Sequence, residues 1–279
     1  MKINLFLLFF LVLLLPLGVG CLAQTPDTAS AEPEPLPKYR IRSSVFGVPS
    51  TRDNFISPLQ FTGILAGRNV ATIRHYPHGL RQHNFTSFNG IMLNGVNNAL
   101  LTLVSGGFDL TYLHLLLTAA DQKLAMYGGG GFNSLLHLKF HSGNTNNVFS
   151  HDLALSLDAS GLMTYEFNLL RRRFVLTEQL SVPLGGVIAR PAYAWAIPYF
   201  IWEEEGQFRE AIQAVSWGNY WRLQNRLSLD FQTTSRGRRQ PGKKNTWRLT
   251  YLWDYHQMNR PNQVKTAQQS VAIGRMLKI

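Results

Sequence analysis

Apolar and polar residues alternate one for one along much of this chain. Leu153, Leu155 and Leu157 alternate with Asp152, Ala154, Ser156 and Asp158, and Leu227, Leu229 and Phe231 alternate with Arg226, Ser228, Asp230 and Gln232. Further on, Trp247, Leu249, Tyr251, Trp253 and Tyr255 share one parity, while Arg248, Thr250, Asp254 and His256 share the other. A period of two is the mark of a β-strand whose faces meet different surroundings. The stretch AMYGGGGFNSLLHLKFHSGN, residues 125–144, follows the same rule. Phe132, Leu136, Leu138 and Phe140 fall on one side, with Asn133, His137, Lys139 and His141 opposite. Its four glycines therefore belong to a strand. A phosphate-binding loop would need a lysine and a hydroxyl directly after them and a helix beyond. The glycines are expected to relieve crowding, or to permit a bend, where a curved sheet closes.

Strand-like segments run near 57–76, 83–94, 97–105, 107–118, 122–141, 150–167, 171–183, 186–200, 213–233, 244–258 and 266–279, with 83–94 and 97–105 also readable as one bent strand. This predicts an all-β chain of about 10–12 antiparallel strands joined by connections rich in Gly, Asn and polar residues. A soluble sandwich also alternates, but its strands run nearer five or six residues. A bilayer crossing takes about 9 to 11 tilted residues, and several of these segments reach that length. Charged residues make up 15% of the 279, against about 25% in ordinary globular domains. After residue 23 no apolar run is long enough for a membrane-spanning helix.

The start of the chain has another character. Lys2, the apolar run from Leu5 to Leu15 and small residues near Ala23 match a secretory signal peptide, expected over 1–23. The run is too short for a spanning helix of about 20 residues. Cleavage after Ala23 competes with lipidation at Cys21, for which Gly18 is a poor match to the usual large aliphatic residue. Residues 24–55, with Pro26, Pro33, Pro35 and Pro37, are expected to be a disordered periplasmic leader. Residues 56–279 are expected to be one domain.

All six tryptophans, Trp195, Trp202, Trp217, Trp221, Trp247 and Trp253, lie in the last third of the chain, among many tyrosines. Amphipathic rings of this kind suit the interfacial girdles of a membrane barrel. The final segment is strand-like to the C-terminus, and a barrel needs a last strand to pair with the first so that no edge faces lipid. In leader, long alternating strands, aromatic-rich second half and terminal strand, the chain resembles the outer-membrane β-barrel proteins of Gram-negative bacteria. Residues 180–195, LSVPLGGVIARPAYAW, resemble a turn of uncharacterised barrel proteins of the Bacteroidetes type. Ile279 departs from the Phe or Trp that usually ends such barrels. The resemblance implies an outer-membrane location, a closed transmembrane antiparallel barrel and insertion by the barrel-assembly machinery.

A barrel would place Asn133, His137, Lys139, Asp152, Ser156, Asp158, Arg226, Ser228, Asp230, Arg248, Asp254 and His256 toward its lumen. About ten to twelve strands fall between barrels filled by side chains and those holding an aqueous channel. Mixed charges are expected to pair across such a lumen and leave at most a narrow passage. A large plugged transporter of about 22 strands is excluded by length.

The net charge of +11 points to outer-membrane lipids and lipopolysaccharide, not to nucleic acid, for a secreted barrel. The expected polyanion-contacting loop carries Arg236, Arg238, Arg239, Lys243 and Lys244. Arg171, Arg172 and Arg173 either anchor headgroups or flank a turn.

The principal functional expectation is a structural barrel or narrow passive, porin-like channel without a cofactor or metal, more a non-enzyme than an enzyme. An alternative is an outer-membrane lipid hydrolase, of the phospholipase or lipid A deacylase type, using Ser142 with His141 or His137. Adjacent strand residues face opposite ways, so Ser142 would meet His141 only beyond the strand's end. His137 and His141 are too far apart along a strand to share an ion. The group His75, His78 and His83 around a Pro-Gly turn is a weak chelating candidate without carboxylate or thiol. A weaker alternative is a secreted soluble β-sandwich that binds glycans through its aromatics.

Overall fold

In the computed structural model of the chain, the residues described are 36–142, 148–170, 172–190, 212–234, 244–260 and 263–279. The strands in chain order are β1 (Lys38–Asp53), β2 (Ser57–Tyr76), β3 (Gly79–Asn94), β4 (Leu100–Ala119), β5 (Leu124–His141) and β6 (Phe149–Leu169). They continue with β7 (Arg172–Ala189), β8 (Ile212–Ala214), β9 (Tyr220–Thr234), β10 (Lys244–Met258) and β11 (Val264–Lys278). Each pairs antiparallel with its neighbours in one sheet. β11 comes back to β1 over its whole length, from Tyr39 opposite Lys278 to Asp53 opposite Val264. That pairing closes the sheet, so the backbone has no free edge.

The short β8 lies opposite residues 187–189 of β7 and β9 lies opposite residues 174–181, so the two occupy one position in the wall. The fold is a closed antiparallel barrel of ten strand positions. A single closed sheet rules out the stacked sheets of a sandwich.

Closure fixes the stagger. From Ser43, cross-strand partners lead through Gly274, Arg248 and Asp230 to Val175 on β7. In the other direction they lead through Asn69, Thr86, Gly107, Leu135 and Ala154 to Ile188, also on β7. Allowing for one bulged residue beside Asp158, the stagger is about a dozen residues, which for ten strands corresponds to a tilt near 40°. Gly186, with φ of 146°, sits at this irregularity, and a Cβ there would lie 2.1 Å from the Leu155 carbonyl oxygen.

Three expectations about boundaries need correction. β1 occupies the second half of the expected leader, because its alternation is complete: Ile41, Val45, Thr51 and Asp53 are buried, while Arg40, Arg42, Phe46 and Val48 face out. The proline-rich composition of residues 26–37 does not extend into it. Segments 97–105 and 107–118 form the single strand β4, and 83–94 is separated from it by a turn at 95–99. Segment 186–200 is no strand of its own, since β7 runs through Ala189 and residues 191–200 lie outside those described. The signal segment and residues 24–35 also lie outside them.

The glycines of β5 mark a close approach of backbones. A Cβ at Gly131 would lie 1.9 Å from the Leu110 carbonyl oxygen of β4, so bulk is excluded where the wall curves.

Candidate functional site

Strand alternation divides the barrel into an outer surface and an inner one, and the inner one is two-sided. On β1–β4 the inward residues are mostly apolar: Ile41, Val45, Phe61, Leu65, Met92, Leu101, Leu103 and Leu113 are all at most 3% exposed. On β5, β6, β7, β9 and β10 they are mostly polar or charged. Asn133, His137, Lys139, Asp152, Ser156, Asp158, Ser228 and His256 are buried. Arg226, Asp230, Arg248 and Asp254 are part-buried in ion pairs.

The densest charge cluster lies at the barrel end opposite the chain termini. Asp53 closes β1, Lys139 stands near the end of β5, Asp152 near the start of β6, and Arg190 directly follows β7. Lys139 Nζ donates to Asp53 Oδ2 at 2.7 Å and also to Asp152. Arg190 donates to Asp53, and its Nη1 lies 3.1 Å from Asp152 Oδ1. All four side chains are at most 1% exposed. Asp53 also accepts the Phe55 amide, at 3.1 Å, which fixes the β1–β2 turn against the cluster. β1 and β5 are four strands apart around the wall, so the Asp53–Lys139 contact crosses the lumen.

A second layer crosses it deeper down. Arg222 of β9 forks onto Asp254, with Nε–Oδ1 at 3.0 Å and Nη2–Oδ2 at 2.6 Å, and also donates to Asn133 of β5. Asn133 in turn donates to Asp109 of β4, which also meets Arg226 at 3.4 Å. Ser156 donates to Asp158 at 2.6 Å. A third pair, Arg248 with Asp230, is bidentate at 2.6 Å and lies nearer the termini. Buried ions must be paired to be tolerated, and these layers satisfy that rule, the first two by contacts across the lumen and the third between the neighbouring strands β9 and β10.

Between the first two layers stand His137 of β5 and His256 of β10, their ring centroids 4.9 Å apart across the lumen. Ligand atoms of His137, His256 and Asp152 lie within 4.8 Å of one another, the one such group among the described residues. A small cavity reaches both histidines, and its other walls include Ser105, Asp109, Arg222, Thr266 and Gln268.

The other candidates are scattered. His141 is buried in the lumen and packs edge-on against Phe61, with centroids 5.4 Å apart. The Ser142 hydroxyl instead turns outside to the Leu100 carbonyl oxygen at 3.3 Å. Strand parity keeps the two apart, so they make no nucleophile–base pair. His75 packs on Tyr39 and His83 on Phe108, and these do not converge with His78 on a common point.

Trp221 faces outward and stacks edge-on with Tyr255, and Trp217 is exposed in the turn before β9. Trp247 and Trp253 share the outward parity of β10, while Trp195 and Trp202 lie outside the described residues. Trp247 extends a cross-strand row of outward aromatics, being opposite Phe231, which is opposite Phe174, which is opposite Phe167. Of the basic loop, Arg236, Arg238, Arg239 and Lys243 lie outside the described residues, and Lys244 opens β10. Arg171 also lies outside them. Arg172 and Arg173 flank the β6–β7 turn, with Arg173 paired to Glu166 at the surface.

Reading the sequence missed Asp53, Asp109, Arg190 and Arg222. Arg222 shares the parity of Arg226, Ser228 and Asp230 and was open to detection by extending that count four residues back. Asp53 and Arg190 carry no local signal, since each stands at a strand end and gains its role from strands far away in sequence.

The family model described as "Protein of unknown function (DUF3316)" matches residues 5–275. No curated protein matches the chain. Among solved structures the chain is similar to the outer membrane protease OmpT from Escherichia coli, at 7% identity over 91% of this chain and 99% of that one, with a TM-score of 0.48. It is also similar to the translocator domain of autotransporter NalP from Neisseria meningitidis, at 8% identity over 85% and 88%, with a TM-score of 0.34. A third likeness is to an outer membrane channel from Pseudomonas putida F1, at 9% identity over 91% and 100%, with a TM-score of 0.35. A protease, a translocator and a channel share little beyond a barrel, and the fold stated above rests on strand pairing.

Proposed function

The chain belongs to the DUF3316 family, and from its own geometry we propose that it is an outer-membrane barrel acting as a narrow, passive channel for small polar solutes, held nearly shut by ion pairs inside its wall. The carrying observation is the Asp53–Lys139–Asp152–Arg190 network, which spans the lumen at one end. A purely mechanical barrel has no need of charges there, since apolar residues of similar volume pack inside at no loss of stability. Charges that pair with each other also offer water and small polar solutes a route when the pairs part.

The outer surface supports residence in a membrane. Arg42 stands opposite Arg275 and Arg52 opposite Lys265, about ten residues further along β1 and β11. Only uncharged residues, among them Phe46, Val48, Val271 and Ile273, face outward between them. At about 3.3 Å per residue and a tilt near 40°, the two basic levels are roughly 25 Å apart, the height of the apolar band of such barrels. Cationic side chains at both levels suit phosphate-bearing lipid headgroups, lipopolysaccharide among them. On this reading residues 1–23 are a signal peptide and the domain proper begins at β1.

The test is fractionation followed by conductance. The chain is expected in the outer-membrane fraction, migrating faster on gels before boiling than after, and to give small, brief conductance steps in a planar bilayer. Extraction by water without detergent would refute the membrane reading. A large steady conductance would refute the near-closed lumen.

A further inference from the structure

We infer that His137, His256 and Asp152 form a binding site for one first-row divalent transition-metal ion, of the zinc or copper class, inside the barrel. The three come from β5, β10 and β6 and bring their ligand atoms within 4.8 Å of one another. All three side chains are buried, at 3%, 2% and 0% exposure. His137 Nδ1 and His256 Nε2 each lack a hydrogen-bond partner though sealed from solvent, and Asp152 Oδ1 meets only the Arg190 guanidinium, at 3.1 Å. Buried polar atoms are nearly always satisfied, and two unpartnered imidazole nitrogens beside a carboxylate in so small a group call for a ligand. An ion that accepts lone pairs satisfies both imidazoles at once and draws on the carboxylate as a third ligand.

The donor set narrows the class. Two neutral imidazoles and one carboxylate oxygen suit zinc, copper or nickel, and give magnesium and calcium too few oxygens. Three protein ligands leave further coordination positions open, and the cavity beside both histidines gives them room.

The neighbouring cations set the cost. Lys139 and Arg190 balance Asp53 and Asp152 in charge, so a divalent ion enters a site with no net charge to attract it. Lys139 contacts Asp152 through Oδ2, which leaves Oδ1 for the metal. Arg190 Nη1 is 3.1 Å from that Oδ1, and yields it while keeping its bond to Asp53. Because the ligands lie on facing walls, a bound ion staples the lumen across its width. The inference rests on the barrel's interior alone, and stands or falls separately from membrane residence and conductance.

The test uses the untagged chain folded in detergent micelles, stripped with a chelator and titrated calorimetrically with Zn²⁺ and, separately, Mg²⁺. The expected result is about one Zn²⁺ per chain, no Mg²⁺ and a higher unfolding temperature with Zn²⁺. His137→Gln and His256→Gln are each expected to weaken Zn²⁺ by more than about tenfold, since even outer-shell losses reach that size. Gel mobility before boiling reports whether each variant folds. Should a variant not fold, electron paramagnetic resonance of Cu²⁺ on the wild-type chain decides, with two nitrogen ligands supporting the site and one or none overturning it. Absence of Zn²⁺ binding, or equal binding in the folded double variant, also overturns it.

Discussion

The two inner walls of this barrel solve the same packing problem with opposite chemistry. On β1–β4 large apolar side chains such as Phe61, Met92, Leu101 and Leu103 fill the lumen by contact. On β5–β10 charges and amides fill it by pairing, and they reach over to Asp53 and Asp109 on the apolar side to do so. Apolar filling tolerates small losses, because each contact is worth little alone. Paired charges do not, because one missing partner strands the other in a dry interior. The two walls should therefore fail differently.

The sharpest break comes at Asp152, which answers both Lys139 and Arg190. Asp152→Ala leaves two cations with Asp53 alone, and is expected to cost about 3–5 kcal/mol, measured by urea unfolding in detergent with tryptophan fluorescence. The same variant should raise bilayer conductance, because the far end of the lumen loses its cross-link. Replacing Lys139 by Met together with Asp152 by Leu removes the stranding as well as the pair. If recovery in that double variant brings stability back to within about 1 kcal/mol of wild type, pairing rather than charge itself is what the polar wall requires. A double variant as unstable as Asp152→Ala would show that Arg190 depends on Asp152 after all.

A step smaller is Leu103→Ala on the apolar wall. Leu103 is 1% exposed and packs in the cluster with Phe61, Leu65 and Met92. The expected loss is about 2–4 kcal/mol from transfer and cavity terms, with conductance unchanged, since the ion pairs stay in place. Conductance rising as much as in Asp152→Ala would erase the distinction between the walls.

The same asymmetry decided what the sequence could reveal. Strands whose inward face is polar announce themselves, because alternation is visible when lipid-facing Leu or Trp meets lumen-facing Asp or Arg. β10 matches its expected span, 244–258, residue for residue, and β6 lies within two residues of its own, while the expected segment 213–233 divides into the short β8 and, after a turn at 217–219, β9. Where the inward face is apolar too, the period fades. In β4, Leu101, Leu103 and Leu113 point in while Val104, Tyr112 and Leu116 point out, so the apolar run gives no period that joins segment 97–105 to 107–118. β1 was lost for a related reason: its outward arginines and serines resemble a solvated leader more than a membrane-facing strand. The charged site was half legible for a physical reason. Parity along one strand tells which residues face inward, so His137, Lys139, Asp152 and His256 could be placed together. Which of them touch depends on the stagger of about a dozen residues, and that is a property of the closed sheet that no single strand carries.

The smallest effect tests depth within the polar wall. Arg248 and Asp230 make a bidentate contact at 2.6 Å and lie toward the end that holds the termini, with side chains 14% and 12% exposed against at most 1% in the Asp53–Lys139–Asp152–Arg190 layer. Water that reaches a pair screens it and solvates whichever partner is left alone, so the stranding that makes Asp152 critical is relieved. Asp230→Asn keeps one hydrogen-bond acceptor for the guanidinium and should cost only about 1 kcal/mol. Repeating the urea unfolding at high salt should shrink that difference further, because salt ions that enter with water screen charges over about 10 Å at 0.1 M. The loss in Asp152→Ala should hardly respond to salt. Equal salt sensitivity in the two variants would mean that water and ions pass freely to the Asp53–Lys139 layer, and the lumen would then be open where the ion network now reads as its closure.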